Sequence, residues 1–148
     1  MAGAGSMIEV AAAVIVRGGR VLVARRARPA SLAGMWEFPG GKLERGETGQ
    51  EALAREIVEE LDLRVEVGGV LGSSLRVPPG EDAADLRLTA YAARPADQDQ
   101  EPRLVDGTHD ELRWVTAGEL PSLELAPLDV PLVEGAVAFL DAPDDHLR

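Results

Sequence analysis

The sequence predicts one domain in which mixed strands and two helices pack as a sandwich, α/β or α+β in class. Three observations carry that reading. Two apolar, β-branched runs, "MIEVAAAVIV" and "VLVARR", flank the glycines of "RGGR". An amphipathic helix with its own start signal follows from Thr48. No internal repeat and no break in composition marks a second unit. The 148 residues suit a single hydrophobic core, and 45% apolar content places the chain among globular proteins.

Taken in order, the two apolar runs around Gly18–Gly19 read as a β-hairpin whose second strand ends near Arg25 or Arg26. The segment "ARPASLAGMWEFPGGKLERGE" is rich in Pro and Gly and reads as loop or short strand. Thr48 and Glu51 form the T-x-x-E of a capping box. From there Leu53, Ile57 and Leu61 recur every fourth residue, with Ala54 and Val58 beside them, and the glutamates of "REIVEE" gather on the adjoining side. "LRVEVGGVLGSSLRV" and "DLRLTAYAA" read as strands separated by a turn at "PPGEDAA". After the polar "RPADQDQEPRLVDGTHDE", a short strand is expected at "LRWVT". In "APLDVPLVEGAVAFL", Pro131 suits a first helical turn, and Leu132, Val133, Ala136, Val137 and Leu140 supply an apolar face. Residues 1–6 are expected to be a flexible tail or expression remnant, 7–141 the domain, and 142–148 a C-terminal tail.

Composition excludes several roles. The net charge of −11 opposes the basic surface that a general nucleic-acid binder needs. No apolar run is long enough to span a membrane, and the opening "MAGAGSM" lacks the basic and apolar regions of a secretion signal. With no cysteine there are neither disulfides nor thiolate metal sites, which fits a reducing cytoplasm. Monomer and homodimer both stay open.

The concentration of charge in "REIVEE" asks for a cause. On a helix, Glu56, Glu59 and Glu60 stand at i, i+3 and i+4, where like charges cost about 0.2–0.5 kcal/mol per pair. A solvated acidic face is the plain explanation. The neighbouring "FPGGK" favours another, because adjacent glycines let backbone oxygen and N–H groups approach a ligand closely. A glycine loop leading into a carboxylate-lined helix offers the hard oxygen ligands that Mg²⁺ takes, together with waters and substrate phosphates. The metal charge would relieve the repulsion and attract a polyphosphate.

From Gly41 to Leu63 the chain resembles the Nudix box. Gly41, Glu47, Arg55, Glu56, Ile57, Glu59, Glu60 and Leu63 stand at the family's spacings. Asp62 departs from the pattern, replacing a glycine that follows the helix in the left-handed region, which Asp tolerates better than most residues. "VARRARPASLAGMWEFPGGK" and "LAPLDVPLVE" are similar to the MutT-like branch, which includes pyrophosphohydrolases of 8-oxo-dGTP and of cytidine triphosphates. The likeness covers about residues 8–140.

The resemblance implies an α/β/α sandwich around a mixed sheet, and an enzyme that cleaves a nucleoside diphosphate linked to another group. For this chain it implies a Mg²⁺-dependent hydrolase, with Mn²⁺ as a substitute, that turns a nucleoside triphosphate into monophosphate and pyrophosphate. Cytidine or oxidised purine triphosphates are the leading substrates. Glu56, Glu59, Glu60 and the carbonyl of Gly40 would hold metal, while Glu47 and Arg55 would tie the loop to the helix. Arg26 and Lys42, at the ends of the glycine loop, are phosphate candidates. Phe38 and Trp36 would line a base pocket or belong to the core, with core the better reading for Trp36. Asp129 would read the nucleobase, accepting from cytosine's exocyclic amine for example, or else cap the final helix. The base is open: Thr108 stands where relatives often place a glutamate, leaving Asp106, His109, Asp110, Glu111 or Glu56 to serve. Two rivals remain: a Nudix hydrolase of ADP-ribose or dinucleoside polyphosphates, and a binding module without turnover, which Asp62 and Thr108 would favour.

Overall fold

A computed structural model of the chain describes residues 6–78 and 84–147. Seven strands and two α-helices follow one another as β1 (Met7–Arg17), β2 (Arg20–Arg26), β3 (Trp36–Glu37), β4 (Gly40–Lys42), α1 (Gly49–Leu61), β5 (Val65–Arg76), β6 (Asp85–Pro95), β7 (His109–Val115) and α2 (Val133–Asp141). The first two strands form the expected hairpin. Arg17 opposes Arg20, and Gly18 and Gly19 both take positive φ, as a two-residue turn matched to strand twist requires.

The sheet runs β3-β2-β1-β6-β5, with β4 paired to β1 and β7 to β2. β1 and β6 are parallel, while the other pairs are antiparallel, so the sheet is mixed. β1 shows why its sequence is almost continuously apolar: it is covered on both faces. Ala11, Ala13 and Ile15 pack with Leu53, Ile57, Leu61 and Leu63 on the α1 side. Ala12, Val14 and Val16 pack with Leu132, Ala136 and Phe139 on the α2 side. One helix therefore covers each face. The fold is an α/β sandwich around a mixed sheet.

Thr48 and Glu51 make both hydrogen bonds of the capping box, at 3.1 and 2.9 Å, and so fix where α1 begins. The buried stripe is Gly49, Ala52, Leu53, Ile57 and Leu61. Ala54 and Val58, expected beside that stripe, lie outside it, Val58 being 43% exposed. The i, i+3, i+4, i+7, i+8 pattern that starts at Gly49 instead runs through positions 56 and 60. Two glutamates thus occupy the edge of an inward-facing stripe.

At the C-terminal end a 3₁₀ turn, Val130–Leu132, precedes α2, and Pro131 sits in that turn. α2 itself begins two residues later than Pro131. The expected turn at "PPGEDAA" lies almost entirely outside the described residues. Among those described, no helix is long and apolar enough to cross a membrane.

Candidate active site

β4 meets α1 around Arg55 and Glu56, where β4 also pairs with β1. Ala11 opposes Gly41 and Ala12 opposes Gly40 across that ladder. A Cβ at Gly40 would collide with the Ala11 carbonyl oxygen, and one at Gly41 with the Glu56 carboxylate. At Gly40 only glycine lets the two backbones lie this close, whereas at Gly41 a side chain would displace the Glu56 carboxylate.

Arg55 ties the following loop to the helix. It donates twice to Glu47, Nε to Oε2 and Nη2 to Oε1, both at 2.8 Å. Its Nη1 reaches Glu56 at 2.8 Å and Glu59 at 3.5 Å, and Nη2 also donates to the Lys42 carbonyl oxygen at 3.2 Å. The bonds to Glu47 and then to Glu56 raise the Arg55 pKa above its ordinary value. The bonds from Arg55 and from the Glu44 N–H hold the Glu47 carboxyl down at about 2. Such a two-point arginine–carboxylate pair fixes orientation as well as distance.

Glu60 lacks comparable help. It is partly buried, and its Oε2 has no hydrogen-bond partner among the described residues. Burial, followed by the charges of Glu56, Asp106 and Glu37, pushes its pKa up to about 8, with Arg26 acting in the opposite direction. A buried, unpartnered carboxylate oxygen next to other carboxylates is costly unless a cation joins it. The donor set is all hard oxygen, which suits a divalent metal of the Mg²⁺ type. The glutamates are not gathered into a cage: Glu56 and Glu59 lean on Arg55. Among the described residues, no three acidic or histidine side chains lie close enough to enclose an ion.

Glu60 opens onto a cavity of about 400 Å³ that also borders Arg26, Glu37, Phe38, Gly40, Gly41, Lys42 and Asp129. That volume lies within the range of about 300–1,000 Å³ typical of small-molecule sites. One part of the wall is apolar, built from Leu32, Leu86, Leu88 and Leu128. Asp129 is 4% exposed, and its Oδ2 accepts from the Phe38 N–H at 2.9 Å. Burial raises its pKa to about 7, Glu37 adds to the rise, and the Phe38 N–H and Arg26 oppose it. Asp129 precedes the 3₁₀ turn, yet its side chain makes no capping hydrogen bond. The carboxylate has been drawn into the cavity wall instead. Trp36 is core, as expected; Phe38, also buried, borders the cavity as well.

The candidate bases separate clearly. Asp110 and Glu111 both pair with Arg25, at 2.7 and 3.2 Å. His109 is not a solvated loop residue: it opens β7, is 4% exposed, and its Nε2 lies 2.8 Å from Glu37 Oε2. Asp106 accepts from the Thr108 N–H, and the Val105 N–H donates to the Glu60 carbonyl oxygen at 3.2 Å, so this loop docks beside Glu60. Asp62 adopts φ 51°, the left-handed conformation expected of it, and pairs with Arg103 at 2.8 Å. Two charged cavity residues escape a reading of the sequence. Glu37 carries a weak signal, since it alternates with core-facing Trp36 immediately before "FPGGK". Arg76 carries none, because its place at the cavity depends on the pairing of β5 with β6.

Comparison with known proteins gives this geometry its context. The sequence pattern described as the NUDIX domain matches residues 7–135, most of the chain. The chain belongs to the Nudix family. Among its relatives, a protein named putative 8-oxo-dGTP diphosphatase 2 from Mycobacterium tuberculosis is 46% identical over 144 residues, covering 94% of this chain and 96% of the relative. The CTP pyrophosphohydrolase of Escherichia coli is 38% identical over 133 residues, covering 90% and 93%. The solution structure of the E. coli ORF135 protein superposes with a TM-score of 0.78 at 36% identity, covering 95% of both chains. The MutT Nudix hydrolase of Burkholderia pseudomallei superposes at 0.74 with 30% identity, covering 87% of this chain and 97% of that one. The protein is thus a MutT-like Nudix hydrolase, of a family that generally uses divalent metal ions.

Proposed function

We propose that this Nudix hydrolase converts nucleoside triphosphates to monophosphate and pyrophosphate, with cytidine or oxidised purine triphosphates as its substrates and Mg²⁺ as its metal. One observation supports the reading: Glu60, whose buried Oε2 has no hydrogen-bond partner among the described residues, lines the same nucleotide-sized cavity as buried Asp129. A polyphosphate at the glutamate side and a base beside Asp129 and Phe38 would fill that space. The names of the 46% and 38% identical relatives point to the same two substrate classes.

Glu56, Glu59, Glu60 and the Gly40 carbonyl would hold the ion, Glu56 and Glu59 turning from Arg55 to reach it. When bound, Mg²⁺ supplies charge neutralisation for the phosphates and a more acidic water. Arg55 and Glu47 keep the glycine loop registered against α1. Arg26 and Lys42 line the cavity and donate to phosphate oxygens. Asp129 offers the base an acceptor when ionised and a donor when protonated, and its raised pKa makes both forms accessible near neutrality. Proton removal from the attacking water falls to a carboxylate of the helix or to Asp106, the loop acid that acts on Glu60.

The test is a panel of canonical, 5-methyl, 5-hydroxy and 8-oxo nucleoside triphosphates, with Mg²⁺ or with EDTA. Pyrophosphate release confined to the Mg²⁺ samples and favouring one base supports the proposal. Turnover of ADP-ribose or dinucleoside polyphosphates alone would reassign the substrate. Nucleotide binding without metal and without turnover would instead favour a binding module.

A further inference from the structure

β7 pairs with β2 in regular antiparallel register from Val21–Val115 to Arg25–Glu111, and then the register slips. Arg26 opposes His109, so Asp110 is passed over as an extra residue on β7. Irregularities of this kind re-aim a side chain, and they are common beside active sites. Without it Arg26 would face Asp110; with it a histidine is delivered to that place. The His109 side chain is only 2% exposed, a depth at which an imidazole is normally committed to a partner.

That partner is Glu37. His109 Nε2 lies 2.8 Å from Glu37 Oε2, and Arg26 Nη1 lies 3.2 Å from the same oxygen. A carboxylate only accepts, so Nε2 carries the proton in this arrangement. Arg26 is held a second time, its Nε donating to the Arg28 carbonyl oxygen at 2.8 Å. Neither contact uses Arg26 Nη2 or Glu37 Oε1, and both residues line the cavity. His109 is absent from the cavity wall.

We infer that His109 is a positioning residue for nucleotide binding, fixing Glu37 from behind and, through Glu37, aiming Arg26 into the cavity. The inference rests on the proposed triphosphate substrate. Removing the imidazole leaves a largely buried carboxylate oxygen short of a donor, and Glu37 then moves or redirects Arg26. A residue that aims a binding group alters KM more than kcat.

The experiment compares wild type, His109→Phe, His109→Gln and Arg26→Ala with Arg26→Ala/His109→Phe. Pyrophosphate release from cytidine triphosphate and 8-oxo-dGTP is followed with Mg²⁺, and thermal unfolding is recorded for each protein. Phe fills the buried space without a donor, whereas Gln restores an N–H. His109→Phe is expected to raise KM about tenfold, the size of one lost charge-assisted hydrogen bond, with a smaller change in kcat. His109→Gln should recover most of that loss, and in the Arg26→Ala background His109→Phe should add less than about twofold. In wild type, ¹⁵N spectra of the ring should show Nε2 protonated at pH 8, a check independent of any variant. An unchanged KM in His109→Phe, equal losses in the Phe and Gln variants, or an undiminished effect without Arg26 would each overturn the inference. A wild type inert towards both nucleotides would overturn the substrate reading and this inference with it.

Discussion

Replacing Asp129 by Asn should stabilise the protein, and more so at high pH than at low. Asp129 is 4% exposed, and its pKa is pushed up from 3.8 to about 7. The folded state therefore binds a proton more tightly than the unfolded chain does. Below about pH 3.8 both states are protonated and the carboxyl costs nothing. As pH rises towards 7 the unfolded chain ionises first, and stability falls; above 7 the penalty is complete. At about 1.4 kcal/mol per pKa unit, the full separation sets a ceiling of about 4 kcal/mol. Relaxation around a real charge reduces this, and about 2 kcal/mol is expected at pH 8, with less than half of that at pH 4. Asn keeps an oxygen that can accept from the Phe38 N–H. Urea unfolding of both proteins at the two pH values reads the effect: the variant's midpoint should rise by about 1 M at pH 8. A gain of equal size at both pH values, or a loss at pH 8, would refute the reasoning.

Other expectations follow from the loop and the helix. Arg55→Lys cannot reproduce the two-point bond to Glu47, so it should lower kcat/KM by at least about tenfold, as steady-state kinetics would show. Glu47, held at about 2 against an ordinary 4.5, contributes stability that is present in full above 4.5 and lost as pH falls towards 2. Glu47→Gln should therefore lower Tm at pH 7 and make progressively less difference below pH 4.5. Asp62→Gly should change stability by less than about 1 kcal/mol, because relief of the left-handed backbone is offset by chain entropy and by the lost, exposed Arg103 pair. Denaturant unfolding reads that difference directly.

Much of the architecture was legible because local chemistry dictated it. The Gly18–Gly19 turn, the Thr48–Glu51 capping box and the apolar run of β1 each have one physical solution, and each is found. The α1 stripe was read one position off, since Leu53, Ile57 and Leu61 alone do not say which flank is buried. Ala52 rather than Ala54 lies inward, and Val58 is exposed. Long-range pairing was less legible. His109 looked like a loop residue because nothing in "DGTHDE" announces that β7 starts there or slips register at Asp110. Asp129 had the sequence of a cap, but the Phe38 N–H, 91 positions away, is its partner. Glu60 was legible as one of three glutamates, while the lack of a hydrogen-bond partner for its Oε2 among the described residues was not.

The most direct measurement compares wild type with Glu60→Gln for two properties at once: Mn²⁺ affinity, read by electron paramagnetic resonance, and Mg²⁺-dependent pyrophosphate release. Gln keeps the shape but removes the charge that burial and neighbouring carboxylates make costly. The variant should fold with at least wild-type stability in EDTA, bind Mn²⁺ at least about tenfold more weakly, and lose most pyrophosphate release. Wild-type affinity and turnover in a folded Glu60→Gln protein would contradict a metal site on this helix face.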